Sequence, residues 1–460
     1  MTTTPSQDAL ADLDRRHVFH PFSVPGEHER AGPRRMIVSG RGTTLTDEHG
    51  RTYLDAMAGL WCVNVGYGSV EIADALREQA LRLAYYHSFS SMATDTPALL
   101  AARILEKAPA NMSKVLYGNS GSDANDTQMK LVRMYNNLLG RPQKKKFISR
   151  LRGYHGVSIA SASLTGLPGM HKMFDLPIDG VVHTRAPHRL WEALPNESDA
   201  DFSARLAREL EALIIAEGPD TVAAFIAEPV QAAGGVIVPP AGYFAAIQAV
   251  LRKYDVLLIA DEVVCGFGRL GTWFGSDQLG IEPDLMTIAK GVTSAYVPLS
   301  ACIVSEKVWR VLADESRGAT FSHGYTYTSH PLAAAAALAN LDVIERDGLL
   351  EQVRLRGAHL QARLREAFAG HPIVGEVRGI GLVGAVEFVA ARDPLTRFDP
   401  LGSVGAAVTR ACLERGVITR ALPESDSISF SPPFVVTDAE IDEIVGVARE
   451  AADEVAATLA

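Results

Sequence analysis

Short apolar runs without polar alternation recur through the middle of the chain, and three of them end in a single charge. Thr221-Val-Ala-Ala-Phe-Ile-Ala-Glu228 ends in Glu228, Val256-Leu-Leu-Ile-Ala-Asp261 in Asp261, and Leu285-Met-Thr-Ile-Ala-Lys290 in Lys290. Runs of this length, with Gly or Pro soon after, predict strands buried on both faces of a parallel sheet. A charge is costly inside such a strand but not at its carboxyl end, because open α/β sheets gather ligands in the crevice beyond those ends. The expectation is that Glu228, Asp261 and Lys290 meet around one cofactor.

Around these runs strands alternate with helices from about Ala98 to Val304, the pattern of an α/β layer fold. Lys146–Ser149 and Leu299–Val304 predict further strands, and Val70–Ala84 and Gly242–Tyr254 predict helices. Met129, Val132 and Leu139 mark an amphipathic helix stopped by Gly140-Arg-Pro142, and Pro331 opens an apolar helix through Asn340. Upstream, Met36–Met57 reads as a meander of short strands around polar turns. Beyond about Ile344 come a long charged helix, Leu350–Ala369, and strands at Val374–Val377 and Leu382–Phe388. A helix at Gly405–Glu414, strands at Val417–Arg420 and Ser427–Phe430, and a capping box at Thr437–Glu440 opening the last helix complete the chain. The expected architecture is α/β: a large domain over residues 65–340 with a mostly parallel central sheet, and a smaller α+β domain built from both termini, 1–64 and 341–460.

Composition narrows the function classes. The 460 residues carry a net charge of −10, so there is no electrostatic footprint for nucleic acid or an anionic membrane. The one compact basic run, Lys144–Lys146, reads as the solvated start of a strand. Cys62, Cys265, Cys302 and Cys412 are scattered without CxxC spacing, so neither a zinc site nor a disulfide framework is indicated and no metal is expected. With no apolar leader and no membrane-length apolar segment, a soluble, cytoplasmic, unprocessed protein is expected.

Several stretches have the composition of pocket linings, each with an ordinary structural reading beside it. Phe22, in His17-Val-Phe-His-Pro-Phe22, either packs on a neighbouring core or faces a ligand. Trp61 lies in the Gly/aromatic loop Gly59–Gly68, and Phe89 in a second aromatic loop, Tyr85–Phe89; both suit a pocket wall or plain core. Gly118 and Gly121 let a backbone approach a ligand, while Ser120 or Ser122 caps the following helix, whose free N–H groups suit a phosphate. Gly153 and Gly156 flank Tyr154 and His155, a ring presented from a loop or a tyrosine in a turn. The hydroxyls of Phe321–His330 are helix caps or ligand donors.

The lysine selects among chemistries. At the end of an apolar strand a Lys reaches water, pairs with an acid, or is neutral and reactive. An aldehyde cofactor condensed with Lys290 removes the isolated ammonium and creates a carbon acid beside nitrogen. Asp261, one strand away, could then hold a pyridine nitrogen protonated so that the ring withdraws electrons. Tyr154 could stack on that ring and the Gly118–Ser122 loop hold its phosphate. A structural Asp–Lys ion pair is the competing reading.

The sequence resembles a class III pyridoxal-phosphate-dependent aminotransferase, in the fold-type-I group that contains amine-pyruvate (omega) transaminases. The resemblance is carried by Gly121-Ser-Asp-Ala-Asn-Asp126, Tyr154-His-Gly156, Glu228-Pro-Val-Gln231, Asp261-Glu-Val263, Gly266-Phe-Gly-Arg-Leu-Gly271, Ala289-Lys-Gly291, His323-Gly-Tyr-Thr326 and Ser431-Pro-Pro433. It implies pyridoxal 5'-phosphate joined to Lys290, which also moves the proton, with Asp261 on the pyridine nitrogen and Tyr154 and Val263 sandwiching the ring. Gly121 and Ser122 would hold the phosphate, with His155, Glu228 and Tyr325 near the cofactor. Thr326 would reach the phosphate of a neighbouring subunit, which makes a homodimer, possibly paired into a tetramer, part of the site. The implied reaction is transfer of an amino group from a primary amine or ω-amino compound to pyruvate or a similar keto acid, ping-pong through pyridoxamine phosphate.

Substrate choice follows from a departure. Ornithine and 4-aminobutyrate transaminases of this class place a glutamate where this chain has Ala233, pairing it with an arginine that here corresponds to Arg420. Without that acid, Arg420 is free to clamp a keto-acid carboxylate and to swing aside for an amine lacking one. Trp61, Phe89 and Tyr154 would wall the donor pocket, with Phe22 at its margin. An aminomutase or decarboxylase of the same family shares the cofactor residues. From other classes, a nucleotide-dependent oxidoreductase needs a GxGxxG between strand and helix that is not found, and a catalytically silent binding homologue has no need of Lys290 and Asp261.

Overall fold

The computed structural model describes residues 7–459; residues 1–6 of the expected N-terminal arm lie outside the described residues. Two helices, Gln7–His17 and Pro25–Ala31, precede a meander of β1 (Ile37–Arg41), β2 (Thr44–Asp47) and β3 (Thr52–Asp55). After the Val70–Leu83 and Asp95–Lys107 helices come β4 (Met112–Gly118), β5 (Lys146–Arg150), β6 (Val181–Thr184), β7 (Val222–Ala227), β8 (Leu257–Asp261), β9 (Leu285–Ile288) and β10 (Ser300–Ser305). These form one seven-stranded sheet in the order β4-β10-β9-β8-β7-β5-β6. The run from β9 to β6 is parallel, and β10 runs antiparallel to both its neighbours.

Residues of β7, β8 and β9 are buried along their whole length, as expected of strands covered by helices on both faces. Phe225, Ile226 and Ile259 are fully buried, each contributing about 1.5–3 kcal/mol over exposure. One face packs on the Asp199–Glu217 and Tyr243–Lys253 helices, the other on the Gly121–Leu138 helix. The register decides where the charges emerge. Ala227 is level with Ala260, and Asp261 with Thr287, so Glu228, Asp261 and Lys290 leave three adjacent parallel strands at the same edge.

The C-terminal part adds β11 (Val374–Ile380), β12 (Val383–Phe388), a two-stranded flap of β13 (Ala391–Arg392) and β14 (Leu395–Thr396), β15 (Val417–Ile418), β16 (Arg420–Ala421) and β17 (Ser427–Phe430). Strands β11, β12, β17 and β16 form an antiparallel sheet, while β15 pairs in parallel with β3 and so joins the N-terminal meander. The strand expected at Val417–Arg420 is therefore split between two sheets, a break that delivers Arg420 to a different edge from Val417. The Leu349–Ala367, Ser403–Glu414 and Asp438–Leu459 helices cover this part, the last opened by Thr437 and Glu440 in the expected reciprocal cap.

Two local expectations are corrected. Lys144 is buried rather than solvated, its ammonium donating to the carbonyls of Tyr254 and Pro219 at 3.0 and 3.5 Å; only Lys145 is exposed. Phe19 and Phe22, 81% and 72% exposed, pack on no core among the described residues. The edge strand β6 is invisible in the apolar pattern, because its Val-Val-His-Thr lacks a long apolar run.

Candidate active site

The Gly121–Leu138 helix begins at the sheet edge where the three charges emerge. Ser120 caps it by accepting from the Asp123 N–H, and the Asp123 carboxylate accepts in return from the N–H groups of Asn119 and Ser120. This reciprocal cap leaves the N–H groups of Gly121 and Ser122 without an acceptor among the described residues, and free donors at a helix start favour an anion. Gly121 packs closely on Val263: a Cβ there would sit 3.1 Å from Val263 Cγ2 and would have to push it aside by a few tenths of an ångström. The Ser122 hydroxyl accepts from the Val157 N–H at 3.1 Å, which ties the turn after Tyr154-His155-Gly156 to the helix start.

Asp261 is almost fully buried and its carboxylate is held from three sides. Its Oδ2 lies 2.8 Å from His155 Nδ1 and accepts from Asn125 Nδ2 at 2.8 Å, while Oδ1 accepts from the Val263 N–H at 3.1 Å. Asn125 is itself fixed, donating also to the His155 carbonyl and accepting from Thr287 Oγ1 at 2.8 Å. The oxygens are thus oriented before anything binds, and Oδ1 retains acceptor capacity toward the cleft.

Lys290 follows β9 in the left-handed region, with φ of +49°, at a cost of order 1–3 kcal/mol. That turn swings its side chain off the strand and into the cleft. Its ammonium makes no hydrogen bond or ion pair among the described residues; Nζ sits 5.2 Å from the Trp61 ring centroid. Burial lowers its pKa, with Arg420 acting in the same direction and Cys62, Asp261 and Glu228 opposing. A lysine so placed is poised toward the neutral amine that nucleophilic chemistry requires.

Arg420 reaches the cleft from β16. Its guanidinium carbon lies 4.7 Å from the Trp61 ring centroid, and no carboxylate among the described residues pairs with it. Ala233, 5% exposed, lines the same cleft. Glu228 is buried, and both its oxygens are occupied, Oε1 by the Tyr154 N–H at 3.0 Å and Oε2 by the Ala232 N–H at 2.9 Å. It fixes the Tyr154 loop rather than offering itself to a ligand. Burial raises the Glu228 carboxyl and the Tyr154 phenol, which favours their neutral forms.

One cleft brings together Phe22, Trp61, Gly121, Ser122, Tyr154, His155, Glu228, Ala233, Asp261, Val263, Lys290 and Arg420. Phe89, Tyr325 and Thr326 do not line it within this chain. The loop carrying them is held elsewhere: Tyr85 Oη donates to the Thr326 carbonyl, Ser88 Oγ to that of Thr328, and Phe89 lies against Gly324. Sequence reasoning missed Leu60 and Met170, which complete the wall, and the positioning role of Asn125. Asn125 was legible in principle, since it follows Gly121 by one helical turn and therefore shares its face. A larger open groove between the Val70–Leu83 and Pro331–Arg346 helices has charged residues on its rim but no convergent set like this one.

Comparison with known proteins adds an independent line. The family model described as aminotransferase class-III matches residues 27–451. The chain is 51% identical to a diaminobutyrate–2-oxoglutarate transaminase of Halomonas elongata, over 97% of this chain and 96% of the relative. It is 48% identical to gamma aminobutyrate transaminase 1, mitochondrial, of Solanum lycopersicum, over 94% and 84%. Among solved structures it is similar to the omega transaminase from Pseudomonas jessenii in complex with PMP: TM-score 0.94, 44% identity, covering 97% of this chain and 98% of that one.

Proposed function

The chain belongs to the class-III aminotransferase family, whose members use pyridoxal 5'-phosphate, and on that premise we propose that it transfers an amino group from a primary amine or ω-amino compound to pyruvate or a similar keto acid. The observation that carries the acceptor side is Arg420, a guanidinium without an acid partner among the described residues, in the same cleft as Lys290. A planar fork of donors over an aromatic face suits a carboxylate.

The residues present fit the cofactor. The unpaired N–H groups of Gly121 and Ser122 suit its phosphate, the preorientated Asp261 carboxylate its pyridine nitrogen, and the slot between Tyr154 and Val263 its ring. The methyl that Gly121 lacks would press on Val263 and narrow that slot. When bound, the cofactor supplies a ring that withdraws the electron pair left when a donor's carbon loses its proton.

The chain's own residues then divide the work. Lys290 Nζ would take the proton from the donor's carbon and return it on the far side of the amine nitrogen. Asp261 keeps negative charge where a ring N–H must be retained, with His155 and Asn125 holding it in place. Trp61, Leu60 and Met170 exclude water from the donor's apolar portion, and Arg420 orients the acceptor's carboxylate. Because one cleft serves both substrates, the donor's product leaves before the acceptor enters.

The site is proposed to be completed in a homodimer. Tyr85, Tyr86, Phe89, Met92 and Tyr327 form an exposed apolar patch, with Tyr85 and Tyr327 in edge contact, and a monomer rarely leaves such a surface bare. Thr326 lies within it. A second reading takes an ω-amino acid donor, as the names of the Halomonas and tomato relatives suggest, with 2-oxoglutarate as acceptor, as the name of the Halomonas relative suggests; there Arg420 would serve a donor carboxylate as well.

The test is a panel of monoamines, diamines and ω-amino acids against pyruvate and 2-oxoglutarate, followed by cofactor absorbance. Bleaching by an amine without a carboxylate and recovery with pyruvate is the expected result. Turnover only with ω-amino acids and 2-oxoglutarate selects the second reading, and full turnover by Lys290→Ala overturns both.

A further inference from the structure

We infer that Asp14, His20 and His28 form a binding site for a zinc-class divalent cation that clasps the N-terminal helical hairpin and fixes Phe22 at the mouth of the cleft. Asp14 lies on the Gln7–His17 helix, His28 on the Pro25–Ala31 helix and His20 in the turn between them. One ligand atom from each lies within 4.8 Å of the other two. His20 Nε2 is 2.9 Å and His28 Nε2 is 3.3 Å from Asp14 Oδ1.

Three features separate this trio from an ordinary surface ion pair. The spacing is short enough for one ion to reach all three with small side-chain shifts: bonds of about 2.0–2.2 Å at tetrahedral angles hold ligand atoms about 3.3 Å apart, and His28 Nε2 lies 3.3 Å and His20 Nε2 2.9 Å from Asp14 Oδ1. The His28 Nε2 atom is buried and makes no hydrogen bond, although it lies 3.3 Å from Asp14 Oδ1. No Arg or Lys pairs with Asp14 among the described residues; the neighbouring Arg15 and Arg16 both turn to Asp12 instead.

A second trio in the molecule shows the contrast. His188, Glu376 and Glu387 are equally close, but the Arg378 guanidinium already reaches both carboxylates, at 2.8 and 2.6 Å. There a fixed cation occupies the position a metal would take.

Two imidazoles and one carboxylate, without thiolate, leave a fourth position for water and suit Zn²⁺. Ligation requires a bare His20 Nε2, with the ring proton carried on Nδ1. The consequence reaches the cleft. Phe22, with φ of +51°, lies between the two histidines in sequence and lines the mouth beside Leu60 and Met170, yet it is held by no core. A metal joining positions 14, 20 and 28 closes the chain around it. This proposal stands apart from the transamination reading, since it concerns a site outside the reacting groups.

The experiment compares the full-length protein, stripped with a chelator, with its Asp14→Asn, His20→Gln and His28→Gln variants. ZnCl₂ is titrated calorimetrically into each. The wild type should bind one equivalent per chain more than every variant. As a second readout, trypsin cleavage at Arg30 and Arg34 should slow about 100-fold in the wild type at Zn²⁺ about 100 times its Kd, and change little in the variants. Equal stoichiometry in wild type and variants, or equal protection, would reduce the trio to an ion-pair clasp and overturn the proposal.

Discussion

Asn125 Nδ2 donates to Asp261 Oδ2 at 2.8 Å while the Asn125 carbonyl oxygen accepts from Thr287 Oγ1. The amide is thereby locked in one orientation, with its donor end on the carboxylate. Asn125 acts through Asp261 rather than on a substrate. Asn125→Ala should lower kcat about 10- to 100-fold, the usual loss when a supporting hydrogen bond to a reactive group is removed, and leave the KM of the keto acid nearly unchanged. Asp261→Asn should cost more, about 10²–10³ in kcat, because the charge itself is lost. Steady-state kinetics on both variants checks the order; a larger effect from Asn125→Ala would disprove the assignment of roles.

Arg420 has no acid partner among the described residues, and its guanidinium rests over Trp61. A charge-assisted bond to a carboxylate is worth about 1.5–3 kcal/mol. Arg420→Ala should therefore raise the KM of pyruvate about 10- to 100-fold, while the half-reaction with an amine lacking a carboxylate keeps its rate. Separate measurement of the two half-reactions decides it. An unchanged KM for pyruvate would remove the clamp.

What the sequence discloses here is what periodicity and strand ends control. The three charged-end strands, their parallel neighbours and the meander follow from apolar runs and turn residues, and parallel adjacency then forces Glu228, Asp261 and Lys290 to one edge. What stayed hidden depends on pairing between distant segments. Nothing local in Val417–Arg420 says that β15 goes to β3 and β16 to β17. Glu228 looks equivalent to Asp261 in the sequence, and only its two backbone partners reveal a supporting role. Phe89 has the composition of a pocket wall, and nothing local in the sequence says that its neighbours Tyr85 and Ser88 bond to the 321–330 loop.

Glu262 lies directly after Asp261 but faces the interior, accepting from the Gly275 and Ser276 N–H groups and the Ser276 hydroxyl. Burial pushes its carboxyl up to about 7, against those donors. Between about pH 4.5 and 7 the folded protein keeps a proton that the unfolded chain has lost. Its contribution to stability is thus fully present below about 4.5 and lost as pH rises through about 7, at roughly 3 kcal/mol. His183 works in the opposite sense, burial lowering it to about 4, so stability gained from it grows as pH rises from about 4 to 6.5. Comparison with Glu262→Gln cancels that background. Melting temperatures of the wild type should fall relative to the variant between about pH 5 and 8; parallel curves would show that Glu262 is ionised throughout.

The exposed ring cluster makes the last prediction separable from the chemistry. Tyr327 is 58% and Phe89 47% exposed, and the Thr326 carbonyl is tied to Tyr85 in the same patch. If a second copy covers this surface and Thr326 serves that copy's cofactor phosphate, a charge here must damage association before it damages any residue of the cleft. Large central aromatics at interfaces contribute about 2 kcal/mol or more, so Tyr327→Glu should weaken self-association about 30-fold or more. Specific activity of the variant should then fall on dilution in step with dissociation measured by sedimentation, while the wild type holds its activity over the same range. A Tyr327→Glu monomer that keeps full specific activity would show that each chain's cleft is complete alone, and Thr326 would lose its assigned part.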